Sequence, residues 1–227
     1  MNVPHSALPQ LSFAERTLGD IASSLPGATA VFRRKKLDFC CGGQATLAEA
    51  ATAKGLPPAD LEAELQAIAA ASDHASPPLE TDELIAMIET RFHAVHRREF
   101  PELIRLARRV EAVHKDKAAV PRGLADLLVR MSEDLESHMQ KEEMILFPMM
   151  RRGGGPMIEG PIAVMLAEHD EHGASVQKLE AITNNFEVPE GACTTWRALY
   201  SGVRKLTDDV VEHIHTENNI LFPRFVA

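Results

Sequence analysis

Ser137-His138-Met139-Gln140-Lys141-Glu142-Glu143-Met144-Ile145-Leu146-Phe147-Pro148 and Glu212-His213-Ile214-His215-Thr216-Glu217-Asn218-Asn219-Ile220-Leu221-Phe222-Pro223 carry one pattern twice. Each holds His-x-x-x-Glu followed by Ile-Leu-Phe-Pro, and the His and the Glu both repeat at an offset of 75 residues. Upstream, His93 and His169 repeat at an offset of 76, lying 45 and 44 residues before His138 and His213. The chain therefore reads as two helical hairpins, each of the form His … His-x-x-x-Glu.

The apolar register around the motifs sharpens this. Leu124, Leu128, Met131, Leu135, His138, Glu142, Ile145 and Met149 step by alternating four and three, as do Leu199, Val203, Leu206, Val210, His213, Glu217 and Ile220. Such a stripe is the core-facing side of a bundle helix. His and Glu thus occupy positions where the pattern demands apolar residues. A buried carboxylate costs several kcal/mol unless it is paired or bound to metal. A single His-x-x-x-Glu is commonly a solvated pair on one helix face. Two copies at matched depth, each preceded by a similarly spaced His, point to a shared cation.

Working outward, no segment alternates with period two over strand length, and the predicted fold is all-α. Helical segments are expected over about 80–114, with Pro101 as a kink or break, and over about 121–150, 160–183 and 194–221. Four such helices with mostly short connections suggest an antiparallel four-helix bundle. Before them, shorter helices are expected over about 17–25, 31–37, 46–54 and 58–71, interrupted by Cys40-Cys41-Gly42-Gly43. Ser72 to Pro78 is a linker by composition. The predicted organisation is a small helical Cys-Cys-Gly-Gly domain over residues 1–76 and the bundle over 77–227.

The upstream histidines are less sharply defined. Ile85, Ile88, Phe92, His96 and Leu103 form a stripe that favours His96 over His93, and spacing alone leaves the choice open. Ile162, Met165, His169, Gly173 and Val176 favour His169 over His172. His5, His74, His114 and His215 are expected at the surface.

Composition narrows the function. The 227 residues include 24 Lys plus Arg against 33 Asp plus Glu, a formal net charge of −9, which disfavours nucleic acid. No apolar run approaches the roughly 20 residues of a membrane helix, and the N-terminus lacks the features of a secretory signal. Three cysteines make no disulfide framework and suit a reducing compartment. One Trp and one Tyr leave little for an aromatic platform, whereas 10 His is unusual.

Four His and two Glu exceed a four-coordinate zinc site and suit iron, manganese or zinc in a two-metal centre. Two His on each metal, two bridging carboxylates and an oxo or hydroxo bridge leave a place for an exogenous small molecule. Cys40 and Cys41 form a second constellation. The basic run Arg33 to Lys36 and the two following glycines would activate a thiol for redox or transfer chemistry. The alternative is two structural thiols at a turn. Cys193 has no partner in the pattern and reads as structural.

These residues resemble the hemerythrin-like, HHE-type metal domain, a four-helix bundle with a di-iron centre. Asp38-Phe39-Cys40-Cys41-Gly42-Gly43 resembles the short Cys-Cys domain that precedes the bundle in the iron-sulfur cluster repair di-iron proteins (repair of iron centres). The likeness extends to Phe92-His93, Lys141-Glu142-Glu143, Glu168-His169-Asp170-Glu171, Ala192-Cys193-Thr194-Thr195-Trp196 and Glu217-Asn218-Asn219. Oxygen-carrying hemerythrins, with a fifth histidine and no Cys-Cys domain, are a poorer match. The resemblance implies His93, His138, His169 and His213 as iron ligands, with Glu142 and Glu217 bridging two irons. It implies a cytoplasmic protein that responds to nitric oxide and oxidative stress and restores damaged iron-sulfur proteins by donating iron. A redox or iron-transfer role for Cys40 and Cys41 goes with that reading. Nitric oxide reduction at the di-iron centre, and a module that senses or binds oxygen or nitric oxide, are the alternatives. A homodimer is left open.

Overall fold

The structure is a computed structural model that describes residues 12–71 and 79–226. His5, His74 and the segment 72–78 lie outside the described residues. The chain divides into two compact units, Met1–Pro77 and Pro78–Ala227. It is all-α: no strand occurs among the described residues, and one isolated antiparallel bridge joins Thr17 to Thr46.

The first unit holds α1 (Leu18–Ser24), α2 (Ala28–Lys35), α3 (Leu47–Ala53) and α4 (Pro58–Ala71). Short helices need caps, because their terminal N–H groups have no partner within the helix. Thr17 accepts from the Asp20 N–H, and Thr46 and Glu49 close a reciprocal capping box. Leu18, Ile21, Phe32, Leu47 and Leu65 are the buried centre of this unit. The Cys-Cys-Gly-Gly turn is pinned from α1: Leu18 N–H donates to Ala45 O at 2.9 Å and Gly19 N–H to Gly43 O at 2.8 Å. Gly42 is required by close approach, since a Cβ there would lie 3.1 Å from the Asp38 carbonyl oxygen.

The second unit is the antiparallel four-helix bundle. Its first helix runs through Thr81–Ile88, a π turn at Glu89–His93 and Ala94–Val113. The second runs through Leu124–Lys141, a π turn at Glu142–Leu146 and Phe147–Arg151. The third is Glu159–Ile182. The fourth runs through Thr194–Thr216 into a π turn at Glu217–Leu221. Each helix packs on its two neighbours, first on second, second on third, and fourth on both third and first. Pro101 does not break the first helix. It sits on the exposed face, where water can serve the Arg97 carbonyl that proline leaves without its amide donor.

The π turns correct the heptad reading. Each adds one residue to a turn, so the buried stripe advances by one position. Past Glu142 the buried residues are Leu146, Phe147 and Met150, whereas Ile145 is 53% exposed. Past Glu217 they are Leu221 and Phe222, and Ile220 is half-buried. These side chains pack with Leu84, Ile85 and Ile162 in an apolar cluster at one end of the bundle.

Candidate metal centre

Three of the π turns begin or end on a residue of the repeated motif. Glu142 opens one, Glu217 opens another and His93 closes the third. His138 and His213 lie one α turn before their glutamates, and His169 lies within the third helix. All six side chains are buried, and both glutamates are fully so.

They converge as two groups that share both carboxylates. His93, Glu142, His213 and Glu217 each bring a donor atom within 4.8 Å of the others, as do His138, Glu142, His169 and Glu217. Glu142 offers Oε2 to His93 Nε2 at 3.4 Å and Oε1 to His138 Nε2 at 3.3 Å. Glu217 offers Oε1 to His213 Nε2 at 3.2 Å and Oε2 to His169 Nε2 at 3.1 Å. Each glutamate thus turns one oxygen toward each histidine pair.

The outer nitrogens decide the tautomers. His93 Nδ1 lies 2.7 Å from Glu143 Oε1, His138 Nδ1 2.9 Å from Glu168 Oε2, and His169 Nδ1 2.6 Å from Asn218 Oδ1. Each of these oxygens is an acceptor, so Nδ1 carries the proton and Nε2 presents a lone pair inward. Yet His138 Nε2 and His169 Nε2 are 3.1 Å apart, as are His93 Nε2 and His213 Nε2. For His138 and His169, both fixed through Nδ1, two lone pairs facing at that distance repel unless a cation lies between them. Both oxygens of Glu142 and Oε2 of Glu217 are buried and accept no hydrogen bond. Imidazole nitrogens and carboxylate oxygens with unmet capacity suit iron. The phenyl rings of Phe147 and Phe222 stack beside His93 and His169 at 5.8 and 5.9 Å and keep water from that side.

Without a cation the carboxylates and imidazoles compensate one another, and ligation would displace the protons that do so. Burial and the Glu217 charge push the Glu142 carboxyl up, but His138 and His93 outweigh them and hold it below the usual carboxylate range. Burial likewise opposes ionisation of Glu217, and His169 and His138 reverse it. Burial opposes a charge on His138, which Glu142 overcomes, raising its pKa to about 9. His213 goes the other way, held well below its usual value by burial and by His93.

The hemerythrin HHE cation binding domain matches residues 84–225, and ScdA_N, a domain of unknown function (DUF542), matches residues 14–69. The chain is 47% identical over 224 residues to the iron-sulfur cluster repair protein YtfE of Citrobacter koseri, covering 96% of this chain and 99% of that one. It is 48% identical over 218 residues to the iron-sulfur cluster repair protein YtfE of Pectobacterium atrosepticum, covering 94% and 98%. The chain belongs to the YtfE family of hemerythrin HHE proteins. Within it, the HHE domain carries a buried His/Glu cluster compatible with iron. No helix among the described residues is long and apolar enough to cross a membrane.

The structure brings His93, not His96, together with Glu142, His213 and Glu217. His96 is nonetheless fully buried beside His213, with ring centroids 5.4 Å apart, and burial lowers its pKa to about 2. The π turn explains why the stripe reading preferred it: by closing that turn, His93 joins Phe92 on the buried side. His215 corrects the expectation of a surface residue. It is buried, which its hydrogen bond with the Asn219 amide at 3.1 Å makes tolerable. His114 is half-buried, with its Nε2 3.2 Å from the Cys193 sulfur. Glu143, Glu168 and Asn218 were assigned no role from sequence. Glu143 and Asn218 are repeat equivalents at the same offset of 75 and support His93 and His169, so the repeat itself was the available signal.

Cys40 and Cys41 lie in the first unit, their sulfurs 3.7 Å apart, and with Asp38 they form a third group of donors within 4.8 Å. The expected activation of the thiols by the basic run does not hold for Cys40. Its hydrogen bond with Cys41, burial and the Asp38 carboxylate all push the thiol up. Arg34 and Lys35 face Glu64 instead, and the Cys41 N–H donates to Asp38 Oδ1 at 3.1 Å.

Proposed function

We propose that the bundle holds two irons, one between His93 and His213 and one between His138 and His169, with Glu142 and Glu217 bridging. The observation that carries this is the division of each carboxylate, one oxygen toward each histidine pair. The organisation is a Cys-Cys domain followed by a metal-binding bundle. In this reading the protein repairs iron-sulfur clusters damaged by nitric oxide or oxidative stress, and does so by donating iron; the cluster-repair part is supported by the names of its relatives. Bound iron would supply both the metal passed on and a Lewis-acidic place for a small molecule.

The chain's own groups favour a releasable metal. Two carboxylates among four neutral imidazoles place little negative charge on the site, which suits ferrous iron and a loose hold. Glu143, Glu168 and Asn218 keep the Nε2 lone pairs directed inward. The two thiols of Cys40 and Cys41, with Asp38, are the donors we assign to accepting iron on its way out.

The test is Mössbauer spectroscopy with metal analysis on purified protein, followed by mixing with a nitric-oxide-damaged iron-sulfur enzyme under anaerobic conditions. Two coupled irons per chain, lost as the enzyme regains activity, are expected. Retention of both irons during reactivation would overturn donation. Catalytic turnover of nitric oxide to nitrous oxide with the metal retained would place the activity at the centre itself.

A further inference from the structure

His114 and Cys193 are separated by 79 residues, and the fold brings His114 Nε2 to 3.2 Å from Cys193 Sγ. The pair lies about 30 Å along the helices from the histidine cluster, at 1.5 Å per residue. Cys193 is exposed, unlike Cys40, which is buried. Two features of the backbone place the pair. Cys193 is the N-cap of the 23-residue Thr194–Thr216 helix. His114 is the C-cap of Ala94–Val113. The Cys193 sulfur takes no part in capping. The imidazole is held by Trp196, whose ring centroid lies 5.1 Å away, and the two loops are tied by Lys117 Nζ donating to Gly191 O at 3.0 Å. The pair opens into a cleft of about 320 Å³ lined by Arg109, Val113, Thr194 and Thr195 as well.

We propose that Cys193 and His114 form a nucleophilic thiol site that exchanges with small, carboxylate-bearing disulfides such as glutathione disulfide. The nucleophile and its base stand at hydrogen-bonding distance, and Arg109 offers a cation for the ligand's carboxylate. Cys193 Sγ attacks one sulfur of the disulfide while its proton passes to His114 Nε2. The S–S bond breaks as the new mixed disulfide forms. The departing thiolate takes the proton from the imidazolium and leaves as a thiol. Cys193 is oxidised, half of the incoming disulfide is reduced, and no further oxidant is needed.

The experiment treats the full chain with glutathione disulfide and follows the adduct by intact-mass spectrometry and peptide mapping. One glutathionyl group on Cys193 is expected, formed about tenfold or more faster than on a free cysteine peptide at the same pH. His114→Phe keeps a ring against Trp196 but removes the nitrogen, and should slow the reaction by about tenfold or more with helicity by circular dichroism unchanged. Modification confined to Cys40 or Cys41, a Cys193 rate equal to that of the free peptide, or an unchanged rate in a folded His114→Phe variant would each overturn the proposal.

Discussion

The two halves of the histidine cluster use the same ligand types but differently built surroundings. His138 and His169 both donate through Nδ1 to side-chain oxygens, on Glu168 and Asn218. In the other half His93 has Glu143, but His213 has a ring, Phe92, stacked on it at 5.1 Å. Phe92 and Glu168 are repeat equivalents, each immediately before a histidine of the cluster, at the offset of 76. One duplicated position therefore supplies a carboxylate on one side and a phenyl group on the other. The two imidazoles also shift in opposite directions, for other reasons: Glu142 overcomes burial and raises His138 to about 9, while burial and His93 hold His213 well below its usual value. Each half has one imidazole held by a carboxylate, but only the His138/His169 half has its second imidazole held as well, by Asn218. An imidazole fixed through its outer nitrogen is a stronger metal ligand, so the His138/His169 half should hold its metal more tightly.

The largest effect comes from what the halves share. Glu142→Ala or Glu217→Ala removes an oxygen from both groups at once, so each should bring metal content below two per chain and abolish the magnetic coupling. Full occupancy with intact coupling in both variants would mean that the carboxylates do not bridge, and the shared-ligand reading of the two halves would fail. The next effect separates them. Glu168→Leu should lower iron affinity of the His138/His169 half by about 10–100-fold, read by anaerobic titration, and leave the other half near its original affinity. Equal weakening of both would show that the carboxylate acts on the centre as a whole. Phe92→Leu is the complement: it removes packed ring atoms, so it should cost about 1–2 kcal/mol of stability with little change in affinity. The pair of variants makes a double dissociation, with chemical denaturation and metal titration as the two readouts.

The helices themselves were legible because their apolar periods are long and their ends carry ordinary signals. Pro58–Ala71 begins and ends where composition places it. The second bundle helix begins at Leu124 rather than Pro121, because Gly123 takes a left-handed φ of 82° just before it. The motif residues were legible because duplication doubles a weak signal. The π turns are not: a constant period of 3.6 cannot register one inserted residue, so the stripe puts Ile145 inside and favours His96, and only the family resemblance points to His93. Contacts between distant residues were equally hidden. Nothing in local patterning joins His114 to Cys193, or marks Asp38 as the carboxylate beside two thiols.

A fragment beginning at Pro78 tests whether the halves need the first unit. The bundle is a compact unit with its own apolar core. Arg224 also reaches back to the carbonyl of Leu79 at 2.9 Å, tying its two ends together. The fragment should unfold cooperatively and bind the same number of irons as the full chain. Aggregated, metal-free material would show that the first unit contributes to the bundle's core.

The smallest expected change in the metal centre is from Cys40→Ala combined with Cys41→Ala. The sulfurs belong to the first unit, and neither is in the two donor groups that share Glu142 and Glu217. Iron content and the affinity difference between halves should therefore be those of the unaltered protein. Repair should not be. If iron leaves by way of the Asp38, Cys40 and Cys41 donors, removing both thiols slows reactivation of a damaged iron-sulfur enzyme while the centre stays loaded. Because Asp38 and burial disfavour a free Cys40 thiolate, the thiols would act once an incoming cation displaces the proton, as metal ligation requires. Adding a thiophilic probe such as zinc to the unaltered chain should accordingly release protons, and the double variant should release fewer. Normal reactivation by a well-folded, iron-loaded double variant would remove the thiols from the transfer route and leave the bundle to release iron directly.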